Sequence, residues 1–312
     1  GWDATRTARH ESMRGRGILD KQWQISSRDR QAPPWHEIEH PDWEAARMAV
    51  YAAQIESMDR GIGSLLATLK RLNIEENTMV VFLSDNGGCA EFMAEDGWAR
   101  WYPTRTPDGR EIRSGNNPEI RPGGPLTFMS YDLPWANVSN TPFRRFKHWV
   151  HEGGISTPLI VQWPAMITKG RLEHAPTHII DLMPTFLEAA GVPYPSEFGG
   201  HEIQALDGES LISALAHEGW NRGAPLFWEH EGNCAIRADE WKLVREYGRD
   251  WELYEMNVDR TELHDLSHSN QPVVKELAHQ FNAWTDQIGA VEWSRLIEKL
   301  HRAWKTSDVL GT

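Results

Sequence analysis

The chain has 312 residues, of which 25% are charged and 40% hydrophobic, and its formal net charge is −13. That is globular composition, long enough for one large core or for a main domain with a small one. The acidic balance offers no basic face for a phosphate backbone and so excludes a nucleic-acid partner. No apolar run reaches the roughly 18 residues of a membrane-spanning helix, and no signal peptide is read at the start. Two cysteines, Cys89 and Cys234, allow at most one disulfide and no four-cysteine metal site. Sixteen tryptophans fit either a sugar- or aromatic-binding surface or the burial of large side chains.

Residues 1–41 are polar and interrupted by Pro33, Pro34 and Pro41, which predicts an irregular surface segment with at most one short helix. From Asp42, a candidate N-cap, apolar residues recur at spacings of three and four (Met48, Tyr51, Ile55, Met58, Ile62, Leu65, Leu66, Leu69, Leu72), and this predicts a long amphipathic helix. A turn at 73–77 leads to the apolar run Met79–Leu83, which reads as a strand of a parallel sheet covered on both faces. Asp85, Asn86, Gly87 and Gly88 follow directly. In open α/β sheets ligands bind past the carboxyl ends of strands, and glycines there allow close backbone approach. A carboxylate and an amide carbonyl are hard oxygen donors, suited to Ca²⁺ or Mg²⁺, although the same four residues also favour a plain turn.

Residues 89–146 are rich in proline and glycine, and the aromatic residues Phe92, Trp98, Trp101, Tyr102, Phe128 and Tyr131 suggest a rim folded over a site. Arg144, Arg145, Lys147 and His151 then precede the pair Gly153-Gly154, either as an anion site or as a solvated run. Residues 158–163 read as a second strand. Residues 178–191 read as a helix with Asp181 near its N-cap, Pro184 in the first turn and Gly191 just past the end; Asp181 is also a candidate metal ligand. After a Gly/Pro-rich link over 192–223, short strands at 226–228, 234–237, 241–244 and 251–254, followed by helices over 273–288 and 291–304, predict a small antiparallel α+β subdomain spanning 224–312. His230, in the Trp228–Asn233 turn, is a candidate for reaching a shared cleft.

These motifs resemble the sulfatases of the alkaline phosphatase superfamily, in the arylsulfatase-like branch. Phe82–Gly88 resembles the family's second metal-binding motif, Lys147–Gly154 with Pro158 its lysine then Glu-Gly-Gly segment, and His178–Val192 its Asp-Leu-x-Pro-Thr helix. Trp241–Val244, Glu252–Tyr254 and Asp259–Leu263 resemble its C-terminal subdomain. The resemblance runs from about Gly1 to about Gly289. It implies an alkaline phosphatase-like α/β fold, with a mixed, mainly parallel sheet flanked by helices over 1–223. It also implies Ca²⁺ (or Mg²⁺) on Asp85 and Asn86, Lys147 against the sulfate oxygens, a sulfated small molecule or glycan as substrate, and a periplasmic or secreted location.

The family's formylglycine arises from a C/S-x-P-x-R motif, and Cys89, Cys234, Ser26, Ser114, Ser196 and Ser210 all lack that context. The early aspartate pair and the histidine that protonates the leaving group are not found either, so the sequence is expected to be the second half of a longer sulfatase, inactive alone. Two other functions fit the same residues: a phosphatase or phosphonate hydrolase of the superfamily, whose two-metal members often carry Asp-His where this chain has Asp85-Asn86, and a non-catalytic module retaining the fold.

Overall fold

The computed structural model describes residues 1–94, 104–216 and 219–299. Trp98, Trp101 and Tyr102 lie outside them, as does the last part of the helix expected to reach residue 304. The first element is a helix of 14 residues, α1 (Trp2–Gly15), more than the irregular segment expected. Its inward face puts Trp2 edge-on against Trp35 and Trp135, at ring-centroid distances of 4.7 and 5.6 Å. Trp2 and Trp135 are therefore core residues, with the partly buried Trp35 packed against them.

Helix α2 (Pro41–Arg71) realises the predicted amphipathic pattern over 31 residues, with His40 rather than Asp42 at its N-cap and Pro41 in the first turn, where its missing N–H is harmless. Arg47 is buried and Tyr51 stacks on Tyr131 at 4.7 Å. Further along, Ile55, Met58 and Leu65 remain 44, 44 and 68% exposed, so this half of the apolar stripe has no cover among the described residues.

Strand β1 (Val80–Leu83) follows. The proline-rich stretch contains β2 (Arg113–Ser114), β3 (Thr127–Phe128) and a helix, α3 (Asp132–Ser139), that Pro134 concealed; proline is tolerated in a first turn. Next come α4 (Glu152–Ile155) and β4 (Leu159–Gln162). β1 and β4 pair antiparallel, with Phe82 opposite Ile160. The mainly parallel sheet expected for this region is thus not what forms: among the described residues only the two-residue β2–β3 pair is parallel. Both strands are apolar on both faces, a pattern that carries no information about direction, and the long connection between them permits either.

A 3₁₀ turn at Ile179–Asp181 enters α5 (Leu182–Ala190), which ends on Gly191 in the left-handed region, φ 64°. The link carries a two-residue hairpin, β5 (Glu197–Phe198) with β6 (His201–Glu202), and the short α6 (Ile212–Leu215). The last unit is a four-stranded antiparallel sheet of β7 (Leu226–His230), β8 (Asn233–Ala238), β9 (Trp241–Arg245) and β10 (Glu252–Glu255), in the order β10-β9-β8-β7.

Side chains alternate across this sheet as the period of two requires. Cys234, Ile236, Leu243 and Leu253 face α7 (Gln271–Ile288) and its Leu277 and Phe281. Ala235, Val244 and Tyr254 face the other way, onto Val150 and Met256. The second face is therefore what holds the segment carrying Lys147. Residues 293–299 are again helical. No described helix is long and apolar enough to cross a membrane.

Candidate active site

Two glycine pairs meet at the end of β1. Gly87 N–H donates to Gly154 O at 2.9 Å, and Lys147 N–H donates to Gly88 O at 3.1 Å. A Cβ on Gly87 would lie 1.8 Å from Gly153 O, and one on Gly154 would lie 1.9 Å from Trp149 O. Neither Gly87 nor Gly88 has a positive φ. Their role is to let the turn after β1 lie directly on the Lys147–Gly154 backbone, where any side chain would intervene. Asn140 fastens the same junction: its Oδ1 accepts from Gly88 N–H at 2.7 Å and its Nδ2 donates to Arg145 O at 3.0 Å. Sequence reasoning passed over Asn140, because a lone asparagine before Thr-Pro reads as a turn.

This junction sets Lys147 beside the Asp85–Asn86 corner. The ammonium donates to Glu91 Oε1 at 3.1 Å, and its pKa is raised by that hydrogen bond first and further by the nearby charges of Glu91, Cys89 and Asp85, against a smaller opposing effect of burial. Asp85 is exposed, and among the described residues no side chain donates to its carboxylate; only the Asn86 N–H does, at 3.1 Å. Asn86 Nδ2 donates to Gly87 O at 2.8 Å, and among the described residues no hydrogen bond is made to its Oδ1. The pair thus fits a hard divalent cation by donor type and by availability. Two oxygens do not complete the roughly 6–8 that Ca²⁺ takes.

The other basic groups of this segment are committed elsewhere. Arg144 pairs with Glu252 and Tyr254 of β10, and Arg145 pairs with Glu246. His151 is fully buried, 3.4 Å from Glu252 Oε2. The segment is therefore neither a four-cation anion site nor a solvated run. Lys147 is the cation of this group that faces the corner, and its neighbours dock the C-terminal sheet. Behind them, the buried Lys242 ammonium lies 2.8 Å from both Glu152 Oε1 and Glu262 Oε1, and Arg260 reaches Glu152 at 3.1 Å.

Asp181, a candidate ligand on sequence grounds, is instead structural. It is fully buried, accepts from the N–H groups of His178 and Glu209 at 2.7 and 2.9 Å, and pairs with Arg222.

His230, at the end of β7, meets His148, the residue after Lys147, with ring centroids 5.3 Å apart. One ligand atom each of His148, His230 and Glu231 lies within 4.8 Å of the others. His148 is held between Glu231, 3.2 Å from its Nδ1, and the Asn233 amide nitrogen, 3.3 Å from its Nε2. The Asn233 Nδ2 also donates to His230 O at 3.0 Å. The chain thus brings His230 to the Lys147–His148 segment and leaves Asp181 apart.

The Sulfatase family model matches residues 18–192, more than half of the chain, and spans Asp85, Asn86 and Lys147. The chain belongs to the sulfatase family. A second model, N-sulphoglucosamine sulphohydrolase, C-terminal, matches residues 143–287, from the Lys147 segment through the antiparallel sheet to α7.

Similar sequences include an uncharacterized sulfatase of Schizosaccharomyces pombe, 29% identical over 82% of this chain and 47% of that protein. An arylsulfatase of Klebsiella aerogenes is 30% identical over 67% of this chain and 41% of that protein. The crystal structure of Ps i-CgsB superposes with a TM-score of 0.54 at 24% identity, covering 82% of this chain and 48% of that one, which shows a shared fold. This sulfatase chain therefore spans about half the length of the relatives it matches.

Proposed function

We propose that this sulfatase takes part in hydrolysis of sulfate esters, in which R–O–SO₃⁻ and water give the alcohol and hydrogensulfate. What supports the reading is that Lys147 N–H donates to Gly88 O at 3.1 Å, which lays the lysine segment against the turn of Asp85 and Asn86, and that the exposed Asp85 carboxylate takes no side-chain donor among the described residues. Asp85 and Asn86 would hold a Ca²⁺ ion together with ligands that lie beyond these two residues. Such an ion, when bound, supplies electrostatic stabilisation of the sulfuryl oxygens.

Lys147 places a compact positive charge where a monoanionic ester would bind and, without moving, meets the charge that builds in the transition state. Glu91 holds that ammonium until an anion replaces it. The thiol of Cys89 at this corner lacks the C/S-x-P-x-R context from which the family's formylglycine arises, so that group would come from outside these residues. An oxygen-only donor pair also suits Ca²⁺ better than the Zn²⁺ of two-metal phosphatases, which favours sulfate over phosphate. The substrate class is a sulfated small molecule or glycan, as the similarity to an arylsulfatase supports.

The test is release of sulfate from 4-nitrophenyl sulfate and from sulfated saccharides by the protein from its full reading frame, with and without chelator and with Lys147→Ala. Chelator-sensitive release that falls at least 100-fold in the variant, about 2.7 kcal/mol, is the expected result. Preferential hydrolysis of phosphate or phosphonate esters, or no release from any ester, overturns the reading.

A further inference from the structure

The hairpin between β7 and β8 carries a second group of donors, of a different kind from the oxygens of Asp85 and Asn86. His230 and Asn233 pair across it, and the two residues between them, Glu231 and Gly232, have φ of 53 and 82°. Two left-handed residues make the tight turn whose twist matches an antiparallel pair. A Cβ on Gly232 would lie 2.4 Å from the Tyr247 ring, and the Gly232 N–H donates to Glu229 Oε1 at 2.8 Å, so the turn is braced on both sides. This sets His230 and Glu231 beside His148, with the two imidazole centroids 5.3 Å apart and Glu231 Oε2 3.2 Å from His148 Nδ1.

Among the described residues these three form the one group of histidine, cysteine or carboxylate side chains close enough to share an ion, with one donor atom of each within 4.8 Å of the others. In a tetrahedral site with bonds of about 2.0–2.2 Å, neighbouring donor atoms lie roughly 3.3–3.6 Å apart. The His148–Glu231 pair is already near that separation, and rotation of these partly exposed side chains can close the rest. Two imidazoles and one carboxylate suit Zn²⁺ or another late first-row ion, whereas Ca²⁺ and Mg²⁺ take oxygen. His148 is held at φ 95°, a conformation that a residue with a side chain keeps only where its surroundings impose it. The Asn233 amide supplies part of that hold: its Nδ2 donates to His230 O at 3.0 Å and lies 3.3 Å from His148 Nε2, while its Oδ1 accepts from Tyr247 N–H at 3.1 Å.

We propose that His148, His230 and Glu231 bind Zn²⁺ or a similar late first-row divalent ion, which clamps the β7–β8 hairpin onto the segment carrying Lys147. The ion takes the place of a proton between His148 Nδ1 and Glu231. The imidazole then carries its proton on Nε2, and the Asn233 amide gives up that contact while keeping His230 O. Three protein ligands leave the fourth position to solvent. Because His148 directly follows Lys147, a clamp on its ring restrains the backbone from which the ammonium extends. The inference does not rest on the sulfate-ester reading.

The experiment strips the protein from its full reading frame with chelator, restores excess Ca²⁺ and titrates it with Zn²⁺ alone by isothermal titration calorimetry, alongside His230→Ala, Glu231→Gln and Asp85→Ala. Hydrogen exchange with and without Zn²⁺ locates the restraint. The expected result is a site for one Zn²⁺ that persists in excess Ca²⁺, is weakened at least about tenfold by His230→Ala and by Glu231→Gln, and is unchanged in Asp85→Ala. Amides of residues 147–149 and 230–233 should exchange more slowly with Zn²⁺ in the wild type and not in His230→Ala. Zn²⁺ binding that either hairpin variant leaves intact, or that Asp85→Ala abolishes, overturns the assignment, and so does slower exchange confined to other segments. Absence of Zn²⁺ binding also overturns it and makes the three side chains a hydrogen-bonded cluster only. No outcome here depends on release of sulfate, so failure of this site and failure of the sulfate-ester reading are told apart.

Discussion

Replacing Lys242 with methionine isolates the ion network on which the Lys147 segment rests. The Lys242 side chain is fully buried, with its ammonium 2.8 Å from carboxylates of Glu152 and Glu262 whose own side chains are 3 and 0% exposed. Methionine keeps the volume and removes the charge. Glu152 would retain Arg260 at 3.1 Å, and Glu262 would retain the Glu152 N–H at 3.1 Å and, as a charged partner, Arg144 at 3.8 Å. Removing one partner from a buried ion pair typically costs about 3–5 kcal/mol, chiefly from the charge left behind. At roughly 2–4 °C per kcal/mol for domains of this size, the melting temperature should fall by on the order of 10 °C.

The pH dependence fixes the sign. Burial alone would raise the Glu152 carboxyl, but Lys242, Arg260 and Arg237 hold it well below the ordinary glutamate value. In the wild type its stabilisation is present above that ordinary value and is lost as pH falls below it. Without Lys242 the folded protein can take up a proton at higher pH, so the deficit should shrink between pH 7 and pH 5. Adding Glu262→Gln to Lys242→Met should recover most of the loss, because Glu152 keeps Arg260, Arg144 keeps Glu252, and no buried carboxylate is then left without a charged partner. Urea unfolding of the three proteins at both pH values is the assay. A single variant within about 1 kcal/mol of wild type at pH 7, below the range for a broken buried pair, or a deficit that grows on acidification, would refute the argument.

Gly87→Ala should destabilise by about 1–3 kcal/mol in urea unfolding, since its Cβ would fall 1.8 Å from Gly153 O. Gly61→Ala, with nothing within 4 Å on an exposed turn of α2, should stabilise by about 0.5–1 kcal/mol. Glu91→Gln should tighten binding of free sulfate in calorimetry, because the Lys147 ammonium loses its competing carboxylate at 3.1 Å; unchanged or weaker binding would remove Lys147 from the anion site. Burial would raise the Glu252 carboxyl, but His151 and Arg144 bring it down to about 2. Its stabilisation is therefore present above the ordinary glutamate value near 4.5 and is lost as pH falls toward 2, so Glu252→Gln should flatten the acid limb of the stability profile over that interval.

What the sequence showed and what it hid follow the range of the forces involved. The stripe from Met48 to Leu72, the apolar run before Ser84, the left-handed Gly191 and the alternation in β8 to β10 are local patterns, and each produced the element it predicts. Strand direction in the β1–β4 pair was not local, because neither strand has a polar face to orient it. Helix α3 was masked by Pro134, which is disfavoured within a helix but not in its first turn. The roles of Arg144 and Arg145 depend on Glu252 and Glu246, about a hundred residues away in the chain, and no spacing rule reaches that far. Asp85, Asn86 and Lys147 stood out because oxygen donors at a strand end and a lysine among glycines are unusual compositions, and the structure puts the backbones of their two segments in contact at Gly88. Asn140 was not, because its function exists only once Gly88 and Arg145 are already side by side.

The segment from Arg144 to Gly154 is held from two directions, and this determines how precisely Lys147 can be placed. On one side Gly87 and Gly88 lock its backbone to the end of β1; on the other Arg144, His151 and Glu152 lock it to the C-terminal sheet. Every charge on the second side is neutralised within the protein, so little net field from that network reaches the corner. The free charge left at the mouth is the Lys147 ammonium against the exposed Asp85 carboxylate, with Glu91 as the removable counter-ion. A hard cation on Asp85 would reverse the sign of that carboxylate's influence, from attracting the ammonium to joining it in attracting an anion. The corner then changes from a self-neutralised cluster to a net positive seat when a divalent ion arrives. Anion binding at Lys147 should therefore be coupled to cation binding at Asp85, each strengthening the other by the same factor.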